Sequence, residues 1–340
     1  MNRFIIEFQN GEKLADAGTK ASADISTILV ENGYRKLFFK TCGGSLLKQI
    51  SEIFSSSIKL IVSAKRGSLV IYQYPIYSKK GIFAFQFVRA LLRMKGCRVV
   101  AFIHDLISAR SGFKQKEEEV AELNKNDMLI VHSPQMEAWL KYAGCHKPCV
   151  KLGLFDYLVG KSNESPRSLS YTITYAGILS NSKSGFIYQL KDITRDSQIR
   201  FLLYGRNDSK DSFGEGIEYS GLFSPDDVSS LQGSWGLVWD GSSIDDLEGQ
   251  TGVYQKINSP HKASLYLVAG LPLIVSSQAA TAKIVVDNKL GITVNSLADL
   301  EKRISSVTEE DYADMIAHVN AYAKRLKTGQ NLLTVLDQIV

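Results

Sequence analysis

NSPHKASLYLVAGLPLIV, residues 258–275, sets a basic pair, His261-Lys262, at the head of an apolar run that ends in Gly-Leu-Pro and a strand. A surface helix ordinarily spreads its charges along its outer side. Here the polar groups gather at one end, where the first helical turn leaves backbone N–H groups without intrahelical partners. Asn258 or Ser259 can cap such a helix, and Pro260 suits its first turn. Lys262 adds a full positive charge at the positive end of the helix dipole, so the stretch suits a bound anion such as a pyrophosphate. Taken alone, it is equally a capped helix carrying a solvated lysine.

Outward from this unit the chain repeats one grammar. YTITYAG (171–177), IRFLLYG (199–205), IEYSG (217–221), WGLVWDG (235–241), LPLIVSS (271–277) and GITVNS (291–296) read as strands, with helical segments between most of them. In the first half GSLVIYQYP (67–75), CRVVAFIHD (97–105) and MLIVHS (128–133) read as buried strands. KKGIFAFQFVRALLRMKG (79–96) and PQMEAWLKYAG (134–144) read as helices. Strands alternating with helices predict an α/β protein with doubly wound parallel sheets. KSNESPRSLS (161–170), polar and aperiodic, reads as an exposed linker between residues 1–160 and 171–320. Residues 321–340 read as a terminal helix packing back on the first domain. Two Rossmann-like domains predict a central cleft, with ligands at the carboxyl ends of the strands.

Composition narrows the class of protein. A chain of 340 residues with 44% hydrophobic and 22% charged residues is long and apolar enough for two folded cores. The net charge of +5 is uneven: residues 1–150 hold 22 Lys and Arg against 13 Asp and Glu. A basic front half invites a phosphate-bearing ligand or an anionic membrane, and the basic, Phe-rich segment 79–96 could lie on such a surface or pack its phenylalanines inward. Nucleic acid is excluded for want of basic and aromatic residues interleaved on a strand. Cys145 and Cys149 flank His146, but no second ligand pair follows at zinc-site spacing, which favours reduced thiols. The N-terminus turns polar too soon for a signal peptide and no run reaches ~18 apolar residues, so a cytoplasmic protein is expected, peripheral at most on the inner face of the membrane.

Several residues could carry chemistry. The long polar stretch 240–259 brings Tyr254, Lys256 and Asn258 up to the helix headed by His261 and Lys262. YAGILSNSKSGF (175–186) places Gly177 and Lys183 at a second strand end. FIHDL (102–106) ends a strand in His104-Asp105, either of which could serve as a general base. Asp16, Gly18, Lys20 and Ser133 sit in polar turns suited to an acceptor. No G-x-G-x-x-G, Walker lysine or G-x-S-x-G occurs, and no D-x-D; Asp226-Asp227 and Asp245-Asp246 are adjacent pairs, so neither metal nor cofactor is expected.

With these residues in view, the chain resembles a known family. YLVAGLPLIV behind Pro260 and Lys262 resembles the P-x-K…A-x-G-x-P-V element of GT-B glycosyltransferases. GLVWDGSS, GVYQKINSPHK and IVVDNKLGITVNS, with FIHDL, VHSPQM, FDYLV and the early DAG, are similar to bacterial β-1,6-galactofuranosyltransferases of O-antigen and capsule synthesis. The layout also resembles the glucosyltransferase that extends GlcNAc on serine-rich adhesins. The resemblance implies a GT-B fold, a UDP-sugar held by the C-terminal domain with Lys262 on its diphosphate, and an acceptor held by the N-terminal domain. The basic front half suits a glycan acceptor linked to lipid pyrophosphate and an anionic membrane surface, and a second copy of the chain is a further expected partner. Leu265 departs from the wider pattern, in which a ribose-gripping Glu stands three residues after the lysine. The residues leave open a galactofuranosyl or a glucosyl donor, and a non-catalytic sugar-nucleotide partner of another transferase.

Overall fold

The structure, a computed structural model, describes residues 2–9, 17–40, 46–162, 166–207 and 213–339. The chain forms two units. Unit 1 comprises Met1–His132, Glu137–Leu152 and Val335–Val340; unit 2 comprises Ser133–Met136 and Gly153–Thr334.

In unit 1 the strands are β1 (Arg3–Gln9), β2 (Arg35–Lys40), β3 (Leu69–Tyr74), β4 (Arg98–Ile103), β5 (Met128–Val131) and β6 (Cys149–Lys151). All the described pairings are parallel, in the order β2-β1-β3-β4-β5-β6. The helices are α1 (Ala17–Glu31), α2 (Leu46–Ser63), α3 (Lys79–Met94), α4 (Ile107–Arg110), α5 (Lys116–Leu123) and α6 (Pro134–Tyr142), the last beginning in unit 2. β3 and β4 are buried almost throughout, which explains their unbroken apolar sequence. The phenylalanines of α3 divide: Phe85 is buried, whereas Phe83 and Phe87 are exposed. Burial raises the Cys149 thiol to about 12, so it is a protonated, inert side chain at neutral pH.

Unit 2 contains β7 (Thr172–Ala176), β8 (Arg200–Tyr204), β9 (Ile217–Gly221), β10 (Trp235–Val238), β11 (Leu273–Ser276) and β12 (Gly291–Val294). They too pair in parallel, in the order β12-β11-β10-β7-β8-β9. Between and after them come α7 (Asn181–Ser184), α8 (Lys191–Thr194), α9 (Gly249–Gln255), α10 (His261–Val268), α11 (Ala282–Asp287), α12 (Leu300–Ser305), α13 (Glu309–Lys327) and α14 (Gln330–Ile339). Alternate residues feed two cores. Ile173, Tyr175, Trp235, Leu237 and Trp239 enter one, while Ala176, Val238, Leu273 and Val275 enter the other with most of α10. Gly236 is required by this packing, because a Cβ there would lie 2.3 Å from the buried ring of Tyr266. A Schellman turn ends α10: Gly270 takes φ 75°, its N–H reaches Leu267 O, and Leu271 N–H reaches Tyr266 O.

Three readings of the sequence change. Residues 161–170 are not a free linker where described but are tied into unit 2: Lys161 bridges Asp227, and Arg167 donates to the carbonyls of Leu231, Gly233 and Ala269. The units divide near Leu152–Gly153 rather than at residue 160. The polar stretch 240–259 contains α9. The terminal segment is helical with its break at Gly329, as its sequence indicates. Asp156 of FDYLV accepts from Asn331 N and Leu332 N and so caps α14, while Val335–Val340 belong to unit 1.

Candidate active site

In unit 2 the strand order reverses between β7 and β10. β7 is followed outward by β8 and β10 by β11, which opens a crevice at the carboxyl ends of the two middle strands. Tyr175 lies on β7, Trp239 and Asp240 directly follow β10, and Lys262 enters from the first turn of α10. The Lys262 ammonium lies 2.7 Å from Asp240 Oδ1, 3.1 Å from the Tyr175 hydroxyl and 3.2 Å from Trp239 O. It also stands 4.2 Å above the Tyr175 ring. Its side chain is 9% exposed. Burial drives the ammonium down to about 8; the Asp240 carboxylate opposes that fall and the charge of Lys183 adds to it. The structure thus brings Lys262 and Lys183 together with one carboxylate at the switch point. Tyr175, pushed well above its usual range by burial and by Asp240, stays protonated and donates to Asp240.

The other donor-side candidates are distributed differently. Pro260, with ψ 136°, is itself the residue preceding α10, and no side chain caps the helix; Asn258 and Ser259 are displaced from that role. His261 stacks on Tyr157 at 4.6 Å and meets Phe155 edge-on, so its ring is part of the packing. Tyr254 is buried in α9. Lys256 turns to Gln278 Oε1 at 2.8 Å and lies 3.7 Å from Asp246. Gly177 follows β7, and its N–H donates to Tyr204 O. Leu265 is buried in the core, so no side chain at that position can grip a ribose.

Sequence reasoning passed over Asp240, Gln255 and Thr281. Gln255 Oε1 accepts from Asp240 N at 3.0 Å, which fixes the amide beside the lysine's partner. Its Nε2, together with Asn258 Oδ1 and Thr281 Oγ1, is buried without a hydrogen-bond partner among the described residues. Buried polar groups left unsatisfied point to a ligand or ordered water. A signal was available for Asp240, which stands between Trp239 and Gly241 directly after a strand.

In unit 1 the order reverses between β1 and β3, and His104 and Asp105 follow the neighbouring β4. His104 Nε2 is 2.6 Å from Gln73 Oε1. Gln73 Nε2 donates to Ser22 O and Ser26 Oγ of α1, so the amide orientation is set by a carbonyl that can only accept. His104 Nε2 is therefore the protonated nitrogen and Nδ1 the basic one. Asp105 is ion-paired to Arg110 at 2.5 Å. Behind them Glu119, fully buried, accepts from Tyr74 OH, Ile107 N, Ser108 N and Ser108 Oγ and fixes the turn after Asp105.

Of the acceptor-side candidates, Asp16 lies outside the described residues and Gly18 falls in α1. Lys20 is paired to Asp24 at 2.6 Å within that helix. Ser133 is buried; its Oγ accepts from Met136 N and donates to Ile257 O, a capping and tethering role. His132 is buried too, held down to about 4 by desolvation while its Nε2 meets Ile103 O.

Comparison with known proteins fits this geometry. Residues 2–154 match the N-terminal domain, and residues 173–339 the C-terminal domain, of the glucosyltransferase 3-like family. The β-1,6-galactofuranosyltransferase WbbI of Escherichia coli K12 is 29% identical over 332 residues, covering 96% of this chain and 94% of that one. Glucosyltransferase 3 of Streptococcus gordonii is 25% identical, covering 91% and 92%. Among solved structures, an α-glucosyltransferase in complex with UDP-glucose and DNA containing an abasic site aligns with a TM-score of 0.58 at 13% identity, covering 99% and 98%. S. aureus TarM, in complex with UDP and other ligands, gives 0.53 at 11% identity, covering 84% of this chain and 58% of its own. These structural likenesses bear on the fold, which is the two-domain α/β fold of GT-B glycosyltransferases. With both halves matched by the two domains of one family, the chain belongs to the glucosyltransferase 3-like glycosyltransferases.

Proposed function

We propose that the protein transfers a hexosyl group, galactofuranosyl in our reading, from a UDP-sugar to a hydroxyl of a growing cell-surface glycan, with inversion and without a divalent metal. The observation that carries this is the buried Lys262, held on Asp240 and Tyr175 at the switch point of unit 2 beside Lys183. As the glycosidic bond breaks, charge builds on the leaving diphosphate. Two lysines and the uncapped end of α10 are suited to stabilise that charge. The unsatisfied groups of Gln255, Asn258 and Thr281 are candidates for the uridine and ribose, since Leu265 is not.

His104 is the favoured base. Its tautomer and orientation are set through Gln73, whereas Asp105 is ion-paired to Arg110. The choice of galactofuranose follows the relative at 29% identity; the streptococcal relatives, named glucosyltransferases, favour instead a glucosyl donor. In our reading the acceptor is linked to lipid pyrophosphate and the enzyme works at the inner face of the cell membrane. The basic first half supports this, and no described helix is long and apolar enough to cross a membrane. A screen of UDP-sugars with glycan acceptors, read as free UDP, tests the reading. Turnover of none of them, with intact fold, would leave the non-catalytic alternative.

A further inference from the structure

Two stripes of apolar side chains in unit 1 face solvent. On α2, Ile50, Phe54, Ile58 and Val62 recur every fourth residue and all are exposed, Phe54 by 67%. They do not share the face that carries Ile53, Ser57 and Leu60 into the protein, so the apolar arc of α2 is wider than its packing uses. On α3, Phe83, Phe87 and Met94 fall on one line of the helix, with Phe83 79% and Met94 82% exposed, while Phe85, Val88 and Leu92 are buried. α2 packs beside α3, and Lys95 joins them by donating to Ile61 O and Ala64 O. The crossovers β2-α2-β3 and β3-α3-β4 run the same way across the sheet, so right-handed connections put both helices on one side of it.

The charge around the stripes is one-sided. Residues 46–95 contain nine Lys and Arg and one acid, Glu52; of the nine, Arg89 is buried on Glu122 and Arg93 is paired to Asp127. Lys48, Lys59, Lys65 and Arg66 are exposed on α2 and just beyond its end. A second copy docked face to face by a two-fold axis would set cation against cation. An anionic bilayer offers opposite charge at the headgroups and hydrocarbon beneath them.

We propose that α2 and α3 form an interfacial docking face for an anionic lipid bilayer, with Phe54, Phe83 and Phe87 inserted below the headgroups and the lysines among the phosphates. This rests on, and makes specific, the membrane-side reading given above. The test is co-sedimentation of the full chain with phosphatidylcholine vesicles with and without phosphatidylglycerol, for wild type, F83S/F87S and F54S/I58S. Expected is wild-type binding that needs the anionic lipid and weakens with salt, and a loss of at least about tenfold in each double variant. Thermal midpoints and UDP affinity, read in unit 2, check that the variants remain folded. A third variant, Phe83→Trp, keeps the face apolar; its added fluorescence should shift to the blue on vesicles and be quenched by brominated lipid. Absence of wild-type binding would overturn both this face and the membrane-side reading. Wild-type binding that survives both double variants, or an unshifted indole signal from bound Phe83→Trp protein, would overturn the face alone. Equal binding to vesicles lacking phosphatidylglycerol would overturn its anionic specificity. An oligomer dissolved by F83S/F87S with vesicle binding unchanged would assign the face to a second copy instead.

Discussion

Replacing Asp240 by Asn separates the charge of Lys262 from its position. In the wild type, burial drives the ammonium to about 8 and Asp240 is the group that resists. An opposite charge this close is worth about 1–3 pH units to its partner. Without it the lysine loses its proton at lower pH, and a diphosphate that needs the charged form must then bind at the expense of protonating it. Each pH unit above the break weakens binding by about tenfold, or about 1.4 kcal/mol. Wild-type UDP affinity should therefore be level below pH 8 and fall above it. In D240N the break should move down by about two units, so that affinity at pH 7 is about tenfold weaker. Below the new break the variant should bind at least as tightly as wild type, because a carboxylate repelling the diphosphate is gone. Calorimetric titration of UDP across the pH range reads both curves, and their crossing is the signature. A D240N curve parallel to wild type at every pH would refute the reasoning and make Asp240 merely structural.

Other consequences follow from burial and packing. His132 is held neutral in the fold down to about 4, whereas an unfolded chain protonates near 6.5. Its contribution is complete above 6.5 and is lost as pH falls to 4, by about 3 kcal/mol. Denaturant titrations of His132→Gln should show a correspondingly flatter acid limb. Gly236→Ala should cost about 3 kcal/mol, since the new Cβ meets Tyr266, whose hydroxyl is fixed on Ala176 N; an unchanged urea midpoint would contradict the packing account. Gln73→Leu should lower kcat about tenfold or more with little change in donor KM, and should alter the acidic limb of the pH–rate profile, because His104 loses its tautomer-fixing partner. An unmoved profile would point the base away from His104.

What could be read from the sequence depended on how far apart the cooperating residues lie. The strands of both units stand out because sheets covered on both faces select unbroken apolar runs, and Lys262 stands out because charge collects at the head of one helix. Leu265 takes its meaning only from the resemblance to GT-B glycosyltransferases, whose pattern places a Glu there. Asp240 is marked only by its place directly after a strand; its pairing with Lys262 is not legible, since the two stand 22 positions apart on different elements. Gln73 and His104 are 31 positions apart and meet only through sheet order. Residues 161–170 resemble a linker because Arg167 is held by backbone carbonyls, which leave no trace in composition. α9 is hidden in polar sequence, and the serine run at residues 55–57 obscures α2, whose apolar stripes serve two faces at once.

The central claim is that the diphosphate of a UDP-sugar is held at the unit 2 switch point by Lys262. It is tested most directly by UDP release from UDP-galactofuranose and UDP-glucose with glycan acceptors, comparing wild type with Lys262→Met at matched thermal stability. The account predicts turnover by the wild type on one of these donors and a fall of about a hundredfold or more in the variant. A folded Lys262→Met enzyme that releases UDP at the wild-type rate would contradict it.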